Sequence, residues 1–460
     1  MRIHLINSPH SLRPGKASEF IPSYPPLGIL YVASYLREHI PDVEIKVTDG
    51  AWDGQKRTFD QFKKFNPDIV GISSTTPFSI GAFNLLKKIK EEKPEVKAIS
   101  GGVHSTVMPE ECLQKGFDVA VVGEGEQSIV KIFKENLTGI VMTDHLKNLD
   151  DIPFPARDLI PHITRYPGVL SQKKSPETVV LSTRGCPFNC NFCSNPTFRM
   201  NYPHFRFRSA ANVVDEIEML VNKYKFKEIY DECDEFNINI PNSIDICKQI
   251  RERGIDVPWK TQFKCHAVHK ELIEEMAKAG CWKVFVGIES GNQRTLDGIK
   301  KNVTLENVEK VCKLLKENGI QTHGYFMFYH AWEGLDGALQ HETLQDCLNT
   351  LEYSQRLLKE KILDTASWNL TAPLPGSPLW ETCLKFDLLE DGYMGNWDKW
   401  QTWNYIMKLP GVSRDDVRKI ESEVKKFDKE SLIKIAGIKK TLWLIFHYAA
   451  RRVGIYGERI

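Results

Sequence analysis

The sequence contains no run of 18 uncharged apolar residues, so it offers no candidate for a membrane-crossing helix. Neither sign of charge dominates: 61 Lys and Arg stand against 60 Asp and Glu, a formal net charge of +1. That balance lacks the basic footprint of a nucleic-acid-binding protein. No signal peptide is apparent either, since Met1-Arg-Ile-His-Leu-Ile-Asn7 reads as a first strand. The 11 cysteines are therefore expected to be free thiols in a reducing, cytoplasmic compartment. Eight of them (Cys112, Cys233, Cys247, Cys265, Cys281, Cys312, Cys347 and Cys383) are scattered and read as small apolar core residues. Charge is lopsided only in residues 431–460, where six Lys and Arg face one Glu around Leu442-Trp-Leu-Ile-Phe446. This segment reads as a helix docked on the body, in preference to one lying on a membrane surface. With 460 residues, 42% hydrophobic and 26% charged, the chain can build two or three globular domains.

The other three cysteines fall close together in Cys186-Pro-Phe-Asn-Cys190-Asn-Phe-Cys193, directly after the strand-like run Thr178-Val-Val-Leu-Ser-Thr-Arg-Gly185. Thiolates at this spacing can hold three irons of a 4Fe–4S cluster and leave the fourth free for a small molecule. Electron-transfer ferredoxins use a fourth cysteine instead. A structural zinc site usually needs four ligands in paired knuckles, and no second knuckle follows at such spacing. A disulfide framework conflicts with the expected compartment, and chance clustering of buried thiols is the remaining alternative. An open iron points to chemistry at the cluster, hence to an enzyme.

Up to about residue 140, short apolar strands (3–7, 44–48, 68–73, 96–100 and 119–122) alternate with helical periods such as 28–38 and 79–91. This pattern predicts a parallel, doubly wound sheet, whose ligands sit at the carboxyl ends of the strands. Small residues crowd the loops expected there: Asp49-Gly50, Ser73-Ser-Thr-Thr76, Gly101-Gly-Val-His104 and Gly123-Glu-Gly-Glu126. Together they describe a surface that a large flat ligand approaches closely. Residues 151–176 are proline-rich and aperiodic, as in a linker. A second series follows, with strands near 179–182, 228–230, 260–263, 284–288, 322–328 and 365–370. Its helices fall near 210–223, 244–253, 270–279, 305–318 and 341–359. Six strands and five helices predict a partial (β/α)6 barrel with the cysteine loop after its first strand, at the end where barrel sites lie. Beyond Pro378 the sequence is aromatic-rich (Trp380, Tyr393, Trp397, Trp400, Trp403, Tyr405) and then helical, a region expected to cover the barrel mouth or to pack as core. The expected organisation is α/β: a first domain at 1–145, a linker at 146–176, the barrel at 177–376 and a small, mostly helical region at 377–460.

CPFNCNFC and the barrel pattern resemble the radical S-adenosylmethionine (SAM) enzymes. The resemblance implies that the open iron chelates SAM and cleaves it to methionine and a 5′-deoxyadenosyl radical. It also implies an electron donor such as a flavodoxin or ferredoxin. It assigns Phe192 to packing near the adenine, and Glu289 with Ser290, in Gly287-Ile-Glu-Ser-Gly291, to SAM binding. Either Asp234 or Glu235, in Asp231-Glu-Cys-Asp-Glu-Phe236, contacts the methionine amino group. The first half is similar to the cobalamin-binding domain fused to one radical SAM subgroup, through Ser23-Tyr-Pro-Pro-Leu-Gly28, Gly101-Gly-Val-His-Ser-Thr106, Gly123-Glu-Gly-Glu126 and Asp151-Ile-Pro-Phe-Pro155. Arg206-Phe-Arg208 and Thr371-Ala-Pro-Leu-Pro-Gly376 continue the likeness into the barrel. It implies cobalamin contacts at Leu27, Asp49, Gly50, Trp52, Ser73, Ser74, Thr75, Gly101, Gly102, His104, Gly123, Glu124 and Gly125.

One departure stands out. Cobalamin proteins of the DxHxxG type ligate cobalt through that histidine, and Asp49-Gly-Ala51-Trp-Asp-Gly54, taken as the equivalent, has alanine there. Cobalamin is therefore expected in a His-off form, and a pocket that binds nothing is the rival. The resemblance implies a monomeric cobalamin-dependent methyltransferase acting on an unactivated carbon of a small molecule with two SAM. The alternatives are an oxidative cyclase or rearrangement enzyme of the same architecture, and a non-catalytic sensor.

Overall fold

The structure, a computed structural model, describes residues 1–10, 24–168, 172–198, 205–400 and 404–427. Ser23, Trp403 and the basic 431–460 segment singled out above lie outside the described residues. Among the described residues no helix is long and apolar enough to cross a membrane.

The first sheet has six parallel strands in the order 2-1-3-4-5-6: Arg2–Asn7, Glu44–Asp49, Ile69–Ser73, Lys97–Gly101, Val119–Val122 and Gly139–Met142. The order reverses between the first and third strands, which opens a crevice at their carboxyl ends. The sixth strand is absent from the sequence reading. It is an edge strand with Ile140 and Met142 exposed, so no continuous apolar run marks it. Two of the expected loops are helical: Gly50–Phe65 begins at once after its strand, N-capped by Asp49, and Gly102–Val107 includes His104.

The second sheet is a partial barrel of six parallel strands in sequential order: Glu177–Val180, Glu228–Asp231, Trp259–Gln262, Cys281–Glu289, Gln321–Phe328 and Thr365–Leu370. Connecting helices carry the apolar stripe that buries against a sheet, and side-chain caps set the starts of several of them. Ser209 caps Ala210–Asn222, Thr304 caps Leu305–Glu317, and Thr343 with Asp346 forms a capping box on Leu344–Lys359. That last helix starts three residues later than expected because 331–341 folds into a hairpin, Ala331–Glu333 against Leu339–His341.

The linker is not a free connector. Ala156 N–H donates to Leu30 O at 3.0 Å, Ser34 Oγ donates to Pro153 O, and Ile152, Ile160, Ile163 and Tyr166 are buried. Arg157, fully buried, donates to Thr178 Oγ1 at 3.0 Å, Val179 O at 2.6 Å and Glu216 Oε1 at 3.0 Å. Arg208 reaches the other oxygen of Glu216. Burial pushes the Glu216 carboxyl up, but Arg208 and Arg157 outweigh it and hold it below the usual carboxylate range.

The aromatic-rich region also departs from the expectation of a barrel-mouth cover. Trp380, Trp397, Trp400 and Ile406 join the core formed by Phe83, Leu86 and Ile72 of the first domain, and Trp397 Nε1 donates to Glu111. Tyr405 meanwhile packs edge-on against Tyr329 of the barrel, so this region wedges between the two domains.

Glu216→Ala would leave Arg157 and Arg208 buried without a counter-charge. The expected loss is about 3–5 kcal/mol, read from the denaturant midpoint.

Candidate functional site

The cysteine loop hangs from a two-residue antiparallel ladder, Thr183 opposite Phe207 and Arg184 opposite Arg206. Asp234 clasps both ends of the triad. Its Oδ2 accepts from Gly185 N–H at 2.8 Å, just before Cys186, and its Oδ1 accepts from Asn195 Nδ2 at 2.8 Å, just after Cys193. Asn195 N–H also donates to Cys193 Sγ at 3.4 Å. Ser194 Oγ and Thr197 Oγ1 donate to Pro375 O and Gly376 O, so the loop after the last barrel strand braces the triad from outside.

The three cysteines are free thiols, Cys190 buried and Cys186 and Cys193 half-buried. Burial pushes the Cys186 thiol up to about 12 and Cys193 in the same direction, so ionising them calls for nearby positive charge or a metal. Among the described residues no three His, Cys, Asp or Glu converge on one point as a single ion would require. A cubane instead spreads three thiolates over three irons, and the donor set fits that group. Two buried lysines stand by. Lys264 Nζ lies 4.2 Å from the Phe188 ring centre and donates to Lys301 O, while Lys301 Nζ lies 5.8 Å from the Phe192 ring centre. Their charge would offset that of cluster-bound thiolates.

Lys301 Nζ donates to Glu289 Oε1 at 2.8 Å. Glu289 ends its strand at φ 72°, a left-handed conformation that costs energy for any side chain, and it faces the same interior as Gly287. A Cβ at Gly287 would meet Glu289 Oε1 at 2.4 Å and Lys301 Nζ at 2.7 Å, so the ion pair requires glycine there. Glu235 borders the pair. Its Oε2 is buried without a partner, and burial pushes its carboxyl up to about 7 despite Lys301 and Lys264. Phe192, Glu235 and Glu289 are thus brought around Lys301. Asp234 has both oxygens on the cysteine loop instead. Ser290 is fully buried, donating to Glu342 Oε1 at 2.9 Å and contacting Thr350 Oγ1 at 3.1 Å, which ties down the segment after the strand.

In the first domain, a cavity of about 250 Å³ lies between the helices Leu27–His39 and Gly125–Glu135 and the sheet. Gly28, Ile29, Val32, Ile99 and Val121 form much of its wall. Ser73, Gly101, Gly102, Gly123, Glu124 and Gly125 line the end nearest the strand termini. A Cβ at Gly28 or Gly101 would meet nothing within 4 Å, so these glycines border open space. This largely apolar slot fits a flat heterocycle such as the nucleotide base of cobalamin. Leu27, Asp49, Gly50, Trp52, Ser74, Thr75 and His104 are not among its lining. Asp49 closes the edge strand and is committed to Asn7 Nδ2, Ala51 N–H and Tyr166 Oη, while Trp52 stacks on His162 at 4.7 Å. The stretch taken as equivalent to DxHxxG therefore lies beyond the first strand, away from the crevice between the first and third strands. His104 is buried, 3.3 Å from both Thr76 Oγ1 and Glu111 Oε2, and packs edge-on against Phe83 and Trp397.

Arg184 belongs to both sites. It lines the cavity, and its Nη2 and Nη1 reach Glu126 at 2.7 Å and Glu124 at 3.1 Å. Arg206 reaches Glu124 at 2.6 Å. Burial pushes Glu124 up, but Arg206 and Arg184 prevail and hold it below the usual range. Sequence reasoning missed this clamp and also Lys264, Lys301 and Tyr166. Glu124, in its glycine loop, and Arg206, in Arg206-Phe-Arg208, were singled out in the sequence, but nothing there paired them with Arg184.

A cysteine-loop barrel docked on a cavity-bearing doubly wound domain defines the class, and comparison with known proteins gives the family. Residues 180–336 match the radical SAM superfamily, and residues 19–133 match the B12 binding domain. An uncharacterized methyltransferase of Pyrococcus horikoshii is 30% identical over 423 residues, 86% of each chain. An anaerobic magnesium-protoporphyrin IX monomethyl ester cyclase of Rubrivivax gelatinosus is 27% identical over 428 residues, 87% of this chain and 73% of its own. The solved cobalamin-dependent SAM radical enzyme OxsB, with aqua-cobalamin and SAM bound, superposes with a TM-score of 0.68 at 17% identity, covering 99% of this chain and 72% of its own. The chain belongs to the cobalamin-binding radical SAM enzymes, a methyltransferase-like family.

Two substitutions test this geometry. Gly287→Ala should cost about 1–3 kcal/mol by overpacking Glu289 and Lys301, read from the melting midpoint. Glu124→Ala should remove the shared counter-charge of the clamp and raise the cobalamin Kd at least about tenfold in an absorbance titration.

Proposed function

We propose that this chain is a cobalamin-dependent radical SAM C-methyltransferase that methylates an unactivated carbon of a small molecule and consumes two SAM molecules per turnover. The observation that carries this reading is Arg184, which joins the stem of the cysteine loop to the wall of the first-domain cavity and so supports two cofactors meeting at one interface. When bound, the cluster and cobalamin would supply one-electron cleavage of SAM and a methyl carrier.

The chain's own part is placement. Cys186, Cys190 and Cys193 would hold three irons, with Asp234 fixing their loop at both ends. Glu289, oriented by Lys301, would accept from the ribose hydroxyls of SAM, and Phe192 would pack near its adenine. Glu235, whose buried oxygen lacks a partner, is better placed than Asp234 to take the SAM amino group. Ser290 would act by holding that segment in place. The apolar slot with its glycine rim would take cobalamin. The His-off form expected from alanine at position 51 is part of this reading. The partner set includes an electron donor of flavodoxin or ferredoxin type.

A second reading is ring closure or oxidation without methyl transfer, favoured by the likeness to the cyclase of Rubrivivax gelatinosus. Anaerobic reconstitution with iron, sulfide and cobalamin, followed by product analysis, separates the two. Methyl transfer requires S-adenosylhomocysteine alongside methionine and 5′-deoxyadenosine, whereas 5′-deoxyadenosine without S-adenosylhomocysteine favours the second reading. Cys190→Ala should lose the iron–sulfur absorbance and both products.

A further inference from the structure

The barrel lumen holds a charged group that the site described above does not use. Along the fifth barrel strand His323, Tyr325 and Met327 are half-buried, whereas the alternate residues Thr322, Phe326 and Phe328 are buried. The lumen is thus open, unlike the packed interior of a closed barrel. Most of its polar groups are satisfied. Lys260 pairs with Glu177, both fully buried. Glu228 accepts from Trp282 Nε1 and from the backbone N–H groups of Lys173 and Lys174. His323 places its two ring nitrogens against Thr365 Oγ1 and Ser367 Oγ at 2.8 and 3.1 Å.

Glu232 is the exception. It follows the second strand, its N–H still bonded to Val180 O, and shares the inward phase of Tyr230. Its side chain is exposed, and among the described residues it has no hydrogen-bond partner or counter-ion in contact. The nearest charges are Glu177 and Asp231, which repel it, and Lys260, which is already engaged by Glu177. Asp231 itself is turned to Ser182. Three aromatic rings stand nearby: Tyr230 and Phe285 have centres 5.3 Å apart, and Phe285 and Tyr325 stack at 6.0 Å. Both tyrosines lie within electrostatic range of Glu232.

An unpaired carboxylate beside aromatic faces in an open cavity is the chemistry that recognises an ammonium group, by ion pairing and by attraction to the ring faces. A carboxylate or phosphate ligand would meet repulsion here. A flat apolar macrocycle would desolvate Glu232 without replacing its water. Building on the methyl-transfer reading, we propose that the substrate carries a protonated amine that docks against Glu232 in the corner formed by Tyr230, Phe285 and Tyr325.

The test uses the reconstituted full chain and three probes with the same four-carbon chain: n-butylamine, n-butanol and butyrate. Hydrogen–deuterium exchange of residues 228–232 and 321–328 is followed against probe concentration. The amine should protect these strands at a concentration at least about tenfold lower than either uncharged or anionic probe. Glu232→Gln should erase that preference and Glu232→Asp should retain it, with iron content and melting midpoint showing that each variant is folded. Equal protection by butanol or butyrate, amine protection that survives Glu232→Gln, or no amine-dependent protection at all would each overturn the proposal. Failure of the parent reading shows separately: a preparation that protects with amine yet forms no 5′-deoxyadenosine from SAM contradicts the enzymatic reading alone.

Discussion

Arg184 and Arg206 face each other directly across a two-residue ladder, an arrangement that like charges disfavour. Glu124 and Glu126 of the other domain supply the missing negative charge. Glu126 lies in the first turn of the helix Gly125–Glu135, where the helix dipole also favours a carboxylate. The stem of the cysteine loop therefore has its counter-charges outside its own domain. That dependence ties the position of the triad to the wall of the cobalamin-domain cavity, and much of the interface serves to maintain it.

The segments that join the domains share the task. Arg157 ties the linker into the barrel through Glu216, while Tyr166 of the same segment bonds Asp49 at the edge of the first sheet. Trp397 and Trp400 fill the other side and engage the first domain through Phe83 and Glu111. Gly376 marks a close meeting point: a Cβ there would lie 2.6 Å from Val107 Cγ1 of the first domain and 3.2 Å from Thr197 Oγ1 beside the cysteine loop. Side chains from two other parts of the chain press on the Gly376 backbone, where a further side chain would not fit.

Elements whose apolar residues repeat locally were legible in the sequence. The alternation of strands and helices foretold both sheets, with most strand boundaries within a few residues, and the cysteine spacing marked the loop of the candidate cluster site. Features set by distant partners were not. The edge strand Gly139–Met142 has half its side chains in solvent and so no apolar run. The proline-rich segment near residue 155 reads as a connector, yet Arg157 finds its counter-charge 59 residues away. The clamp spans 58 to 82 residues, so no window of sequence contains it. Aromatic richness beyond Pro378 foretold burial but not the surface that supplies it. The letter pattern of Asp49–Gly54 gave no sign of its place, which the strand order puts at the sheet edge.

The proposed function requires two metal cofactors that flank one ion-pair clamp. Anomalous diffraction from crystals of the reconstituted holoenzyme, collected at the iron and cobalt absorption edges, tests it most directly. The expected result is an iron signal enclosed by Cys186, Cys190 and Cys193 and a cobalt signal over the strand ends beside Gly101 and Gly123, with Arg184 between them. Iron outside the triad, or cobalt away from that edge of the first sheet, would contradict it.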